Sequence, residues 1–282
     1  MTARMRVVWQ VSKAAAHAAP GSLDRADRSA DATEAWLHAA ANADPISEYT
    51  RSRTTDTSIV EVPGLGRAAR KRWRWPGTAE RLKGIGRTTA LALTPAEREF
   101  RALGRTYGDE RLVFHPGPLA FLVERRGALA HTAMLLLTEI PDTLDLAEFL
   151  LAERAPQRRR QVLADLARRV GAMHADGVTD GDCHPRNVLV DTATARTWKV
   201  DCGRQRARPR PAERRRAEYD LACLDVGLAR FASRSERARA LRTYLAACPS
   251  AAASRSWSRR VTALAARIAP HEAQRLPARR DQ

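Results

Sequence analysis

The chain has 282 residues, 44% of them hydrophobic and only 5% aromatic, and a formal net charge of +17. That length exceeds the needs of one small domain and suits two lobes sharing a cleft, with a core built mainly from Leu, Ala and Val. Four cysteines (Cys183, Cys202, Cys223, Cys248) form no C-x-x-C pair, which excludes a zinc ribbon or a disulfide scaffold, and no window reaches the ~20 apolar residues of a membrane-spanning helix. Free thiols fit a reducing cytoplasm. Lys13, Gln10 and Ser12 interrupt any signal-peptide core near the start. Residues 1–56 hold seven basic and seven acidic side chains, so the whole positive excess lies beyond them. Such an excess points to an anionic partner (nucleic acid, an anionic membrane face or a phosphorylated substrate), against the plainer reading of a solvated Arg-rich surface.

Taken in order, residues 1–45 read as a mobile leader with a short helix around Thr33 to Ala41. Thr- and Val-rich pieces then flank Pro63-Gly64-Leu65-Gly66, which predicts a hairpin. In LTPAEREFRALGRTYG, Thr94 is placed to cap a helix, Pro95 suits its first turn, and Leu103-Gly104 begins its end. Leu119 to Glu124 and Thr132 to Ile140 read as strands, the second buried because it is nearly all apolar. Beyond Pro141 the pattern turns helical. Asp145 to Ala152 predicts a short helix, and Arg158 to Ala175 a long one with Val162, Leu163, Leu166, Val170 and Met173 on one face. Val188 to Val190 and Thr197 to Val200 form a strand pair, followed by helices over Ala217 to Phe231, Ser235 to Ala247 and Ser256 to Ala269. The order predicts an α+β protein of two lobes: a strand-rich N-lobe over 46–139 and a helical C-lobe over 140–282, joined near Thr138 to Pro141.

The stretch GVTDGDCHPRNVLVD, residues 177–191, concentrates polar chemistry around a short apolar strand. By itself it fits a polar turn, a metal nest of Asp180, Asp182 and His184, or a catalytic loop. Asp182 and Asn187 stand five positions apart, and Asp201 follows in KVDCGR. Phosphoryl transfer from ATP needs a carboxylate to orient the attacking hydroxyl, hard oxygen ligands for magnesium, and a rigid hairpin between them. Asp182 could do the first and Asn187 with Asp201 the second.

These motifs resemble the kinase signatures H-R-D-L-x-x-x-N and D-F-G, met here by DGDCHPRN and DCG. The D-x-H-P-x-N form of the loop is closer to small-molecule kinases than to protein Ser/Thr kinases. Over roughly residues 49–247 the chain resembles the lipopolysaccharide core kinases that phosphorylate heptose or Kdo sugars. The resemblance implies a protein kinase-like two-lobed fold using ATP and Mg2+. It implies that Asp182 is catalytic, that Asn187 and Asp201 are metal ligands, and that Lys71 in ARKRWRWP contacts the phosphates. It also implies that Glu99 is the ion-pair partner of Lys71, that the segment 135–150 around Glu139 meets adenine through its backbone, and that Asp220 braces the catalytic loop. The rivals Lys83 for Lys71, and Glu97 for Glu99, come from the residues themselves. His174 and His184 read as structural.

The chain departs from the pattern in three places. Asp180 stands where the signature has His, Cys202 stands for Phe, and the stretch Arg51 to Thr57, where phosphate cover would fall, contains no Gly. The run RQRARPRPAERRR, residues 204–216, has seven Arg and one Glu after Asp201, a charge suited to phosphate oxygens. The expected acceptor is a lipid-linked anionic saccharide, handled in the cytoplasm with peripheral contact at the inner face of the cytoplasmic membrane. Nucleic acid is disfavoured because no aromatics interleave with the charge. The alternatives are another small-molecule or protein kinase on the same fold, and a non-catalytic kinase-like binding protein.

Overall fold

The structure is a computed structural model that describes residues 5–12, 30–51, 54–75, 77, 93–106, 114–127, 129–207, 213–252 and 257–275. The chain divides into two compact units, one formed by Met1–Tyr107 with Pro116–Glu139 and the other by Gly108–His115 with Ile140–Gln282. The strand-rich unit and the helical unit make the protein α+β.

The first unit is built on β1 (Met5–Val11), α1 (Ala30–Asn42), β2 (Pro45–Arg51), β3 (Thr55–Val62), β4 (Gly66–Arg74), α2 (Pro95–Thr106), β5 (Pro118–Arg126) and β6 (Leu129–Thr138). The strands form one antiparallel sheet in the order β1-β5-β6-β4-β3-β2. The Pro63-Gly64-Leu65 turn joins β3 to β4, with Gly64 and Gly66 in the left-handed region at φ 77° and 74°. Alternation along the strands sends residues to opposite faces. Met134 and Leu136 pack with Leu37 and Ala40 of α1, while Phe121 meets Phe100 of α2 edge-on at 5.1 Å between ring centroids. Cover on both faces is the reason β6 is apolar from Ala133 to Leu137.

The stretch expected to be a mobile leader contains, in its described part, β1 and α1. Met5–Val11 pairs with β5 from Met5↔Arg126 to Val11↔Ala120, so its order comes from a partner far along the chain. The end of α1 is held by buried Arg70, whose Nη1 donates to the carbonyls of Ala40, Ala41 and Ala43 at 3.2, 3.0 and 2.6 Å. These orphan carbonyls at a helix end would otherwise need water. At α2, the Thr94 hydroxyl accepts from Glu97 N–H and the Glu97 carboxylate accepts from Thr94 N–H, a reciprocal cap with Pro95 at the first helical position.

The second unit runs through β7 (Thr143–Asp145), α3 (Leu146–Ala152), α4 (Pro156–Ala175), β8 (Val178–Thr179), a 3-10 turn (Pro185–Asn187), β9 (Val188–Asp191), β10 (Thr197–Lys199), β11 (Arg206–Ala207), α5 (Glu213–Leu228), α6 (Arg234–Ala247), α7 (Pro249–Ala252) and α8 (Trp257–Arg275). Asp145 with Glu148 and Ser233 with Glu236 form capping boxes that start α3 and α6. The helical face expected of α4 is observed: Val162, Leu163, Leu166, Val170 and Met173 lie in one core with Leu221, Leu224 and Tyr244. Helices α4 and α6 approach closely because Gly171 has no side chain. A Cβ there would lie 2.6 Å from the Ala247 Cβ and 3.0 Å from the Tyr244 carbonyl oxygen. Gly171→Ala is expected to lower stability by about 1–3 kcal/mol, read as a lower urea midpoint with unchanged far-ultraviolet circular dichroism.

Arg159 grips Glu236 through its Nε and Nη2 at 2.8 and 3.3 Å. These bonds, with those from Ser233, outweigh burial and hold the Glu236 carboxyl down to about 2 from 4.5. A depressed folded value means that the stability it lends is present above the unfolded value and is lost as the pH falls through the folded one. Urea titrations between pH ~5 and ~2 are therefore expected to show a smaller acid-dependent loss of stability in Glu236→Gln than in the wild type.

Candidate active site

The loop from Asp180 to Asn187 is fixed from beneath. Gly177 and Gly181 take positive φ, 74° and 78°, the first turning the chain from α4 into β8 and the second from β8 into the loop. Buried Asp220 of α5 accepts the Asp180 N–H on Oδ2 and the Gly181 N–H on Oδ1, both at 2.7 Å. His174 of α4 gives its Nε2 proton to Asp220 Oδ2 at 3.2 Å, and its Nδ1 lies 2.9 Å from the Tyr244 hydroxyl. The brace expected of Asp220 is thus present as two backbone bonds, and His174 is a satisfied helix-end histidine.

Asn187 closes the loop from the other side. Its Nδ2 donates to the Asp182 carbonyl at 3.1 Å, and its own carbonyl accepts Val200 N–H at 2.8 Å. The second bond ties the loop to the residue before Asp201. The strands β9 and β10 form the expected hairpin, in the register Thr197↔Val190 to Lys199↔Val188. Asp165 of α4 anchors that hairpin by accepting both the N–H and the hydroxyl of Thr197 at 2.8 Å. Asp201 is exposed and sits at φ 60°, a region Asp tolerates better than most residues.

The carboxylates of this region differ in their commitments. Asp165, Asp180 and Asp220 are all buried in hydrogen bonds or ion pairs. The Asp182 carboxylate is half-buried and has no partner among the described residues. Asp180 explains itself only in the folded chain. It is 0% exposed and pairs with equally buried Lys199, Nζ to Oδ2 at 3.2 Å. Burial pushes the Asp180 carboxyl up to about 6, with Lys199 pulling it back and Asp220 adding to the rise. Burial also disfavours the Lys199 ammonium, but the Asp180 carboxylate outweighs it and the net direction is upward. His184 accepts from Arg186 N–H at 3.3 Å. Asp180, Asp182 and His184 therefore build no metal nest, and no group of three or more His, Cys, Asp or Glu suited to a metal occurs among the described residues.

In the other unit, Lys71 lies on β4 between Thr57 of β3 and Leu135 of β6. Its Nζ is 2.9 Å from Glu99 Oε2 on α2 and 5.2 Å from the centre of the Trp73 ring. Glu97 is excluded from that pairing because its carboxylate is taken by the helix cap and by Arg125 at 3.5 Å. Glu139 follows β6, and its carboxylate accepts from Arg67 at 2.6 Å, so any nucleotide contact there falls to the backbone. Lys83, and residues 52 and 53 where phosphate cover was expected, lie outside the described residues.

Mg2+ fits the donors present. The Asn187 nitrogen is bound to the Asp182 carbonyl, so its Oδ1 and the Asp201 carboxylate are the oxygens that would hold the ion. A few hard oxygens are what magnesium takes when phosphates and water complete its shell. Two residues that the motifs did not flag also shape the site. Lys199 carries an inward charge in a strand, a departure from apolar alternation that could have marked it. His115, far away in sequence, gives Nδ1–H to the Lys199 carbonyl at 3.4 Å and takes a bond from Gln205 at Nε2, 3.0 Å away. Burial and the nearby Lys199 hold it down to about 4; no local pattern announces it.

A lysine–carboxylate pair on a strand-rich unit, and a braced D-x-H-P-x-N loop leading to D-C-G on a helical one, are the parts of a kinase. Comparison with known proteins gives the same answer. The model of the lipopolysaccharide kinase (Kdo/WaaP) family matches residues 38–244. Among solved structures, "WaaP in complex with acyl carrier protein" is similar in fold, with a TM-score of 0.60 and 22% identity over 85% of this chain and 95% of that one. No curated protein matches. The chain belongs to the lipopolysaccharide kinase (Kdo/WaaP) family. It is an ATP-using phosphotransferase that phosphorylates a sugar of the lipopolysaccharide core.

One contact makes the loop's position testable. Gly227 of α5 faces Pro185, and a Cβ there would lie 2.5 Å from Pro185 Cδ. The proline ring is stiff, so the loop must move. Gly227→Ala is expected to lower kcat by about 10- to 100-fold, as displacements near 1 Å do at a reacting centre. Steady-state kinetics beside a melting curve checks this.

Proposed function

We propose that Asp182 orients the sugar hydroxyl for attack on the γ-phosphoryl group of ATP and receives its proton. The observation that carries this reading is the uncommitted Asp182 carboxylate in a region where Asp165, Asp180 and Asp220 are all engaged. A turn residue that merely satisfied backbone donors would not be free, and here those donors go to Asp180 and Asp220. Asn187 Oδ1 and Asp201 would hold Mg2+, which when bound neutralises charge on the phosphates. Lys71, set by Glu99, contacts phosphate oxygens, and the backbone around Glu139 receives adenine. The Lys71–Glu99 pair supports an active kinase over a non-catalytic binding protein, since a lysine held by a carboxylate is what contact with the phosphates requires.

The acceptor in this reading is anionic and lipid-linked. Its support is the position of two arginines. A Cβ on Gly181, between Asp180 and Asp182, would lie 3.4 Å from Arg204 Cβ and 3.4 Å from Arg216 Nη2. Neither guanidinium has an ion-pair partner among the described residues. Exposed Tyr219, one turn beyond Arg216, lies within electrostatic reach of both Asp182 and Arg204. Guanidinium groups beside Asp182 suit the carboxylate or phosphate of an acidic core sugar. No helix among the described residues is long and apolar enough to cross a membrane. The basic surface then supplies peripheral attraction to the anionic inner face of the cytoplasmic membrane, about 1 kcal/mol per nearby basic residue.

Transfer of labelled phosphate from ATP to a lipid A–core extract tests the assignment. Asp182→Ala is expected to abolish transfer and keep nucleotide affinity; turnover like the wild type ends the role. Asp201→Ala is expected to lose the Mg2+-dependent part of nucleotide binding, measured by calorimetry with and without the metal. Arg204→Ala with Arg216→Ala is expected to raise KM for the acidic acceptor at least tenfold while KM for ATP moves little.

A further inference from the structure

We infer that the buried Asp180–Lys199 pair is a positioning device that sets Asp182 and Asp201 relative to each other; this rests on the roles proposed above for those two residues. One Asp180 oxygen, Oδ2, receives both Lys199 Nζ and the Asp182 N–H, each at 3.2 Å. Lys199 Nζ also donates to the carbonyl of Val200 at 2.5 Å, the residue directly before Asp201. Both segments of the site therefore end on a single ion pair. The pair is itself held at four further points. The Asp180 N–H goes to Asp220, and the Lys199 N–H goes to the Phe114 carbonyl at 2.6 Å. The Lys199 carbonyl faces His115, and β10 pairs Lys199 with Val188.

Stability alone does not account for this arrangement. Both side chains are fully buried, and Asp180 Oδ1 has no hydrogen-bond partner among the described residues. A buried pair of this kind is on average no more stabilising than an apolar pair of the same volume. An unsatisfied buried acceptor adds a cost of its own. What apolar residues could not supply is directed bonds to the Asp182 amide and the Val200 carbonyl at once. The pair stands where the kinase signature has His, so this chain uses an ion pair at that position.

The test compares Asp180→Asn, Lys199→Met and the double variant in the full-length protein, each measured for melting temperature, kcat, and KM for ATP. Each single variant leaves an uncompensated buried group and is expected to lower both melting temperature and kcat. The double variant removes both charges of the pair. It is expected to recover most of the melting temperature while kcat stays at least tenfold below wild type and KM for ATP stays within about threefold, the order of loss that misplacement produces. A double variant that regains kcat together with its melting temperature overturns the inference, as does a folded single variant with the wild-type kcat. If no variant folds, amide exchange in the wild-type protein decides. Protection at Asp182 like that of β9 supports the inference, and free exchange there sinks it. Absence of kinase activity in the wild type would instead count against the roles of Asp182 and Asp201 themselves.

Discussion

Asp220 is the residue on which the geometry of the helical unit depends. Its two carboxylate oxygens accept two consecutive backbone N–H groups, those of Asp180 and Gly181, and a histidine from another helix. A loop of this kind has no ladder of its own, so its amides must be satisfied by something rigid. Here the rigid body is three helices joined by one chain of bonds: Asp220 of α5 to His174 of α4, and His174 to Tyr244 of α6. Trp257 stacks on Tyr244 at 5.8 Å between centroids and extends the assembly to α8. Packing of the hydrophobic core is thereby converted into the position of a polar loop.

The same logic recurs with different chemistry in the strand-rich unit. Charged side chains there divide into those that finish secondary structure and those that pair across elements. Arg70 closes the end of α1, Asp56 is clasped by Arg72 and Arg74, and Glu97 caps α2. Once these are committed, Lys71 and Glu99 are left facing each other. Adjacent strand positions face opposite ways, which is why Arg70 and Lys71, neighbours in sequence, have unrelated partners. A tract that reads as uniformly basic is therefore a set of separate functions assigned by the pleat.

Charge on the surface is handled differently. Arginines supply nearly all of the basic charge, and many of those described are exposed. Arg204 and Arg216 differ from that background because both lie against Gly181, where any larger residue would crowd them. A missing side chain in the loop thus lets two arginines approach the residue next to Asp182.

The sequence by itself determined the local elements and the identity of the motifs. The Thr94-Pro95 start of α2, the Pro63-Gly64 turn, the apolar stripe of α4 and the spacing of Asp182, Asn187 and Asp201 all follow from periodicity, capping and signature. Each rests on residues of one short stretch of chain, where pattern and structure are linked by local geometry. Tertiary structure decided everything that depends on a distant partner. It ordered β1 against β5, although the surrounding residues look like a polar leader. It chose Glu99 over Glu97, because Glu97 is used up by Arg125 and the cap. It gave Asp180 its meaning through Lys199, and it brought His115 under the D-C-G turn. In each case the energy lies in desolvating a polar group against one particular neighbour, and the identity of that neighbour is set by the fold.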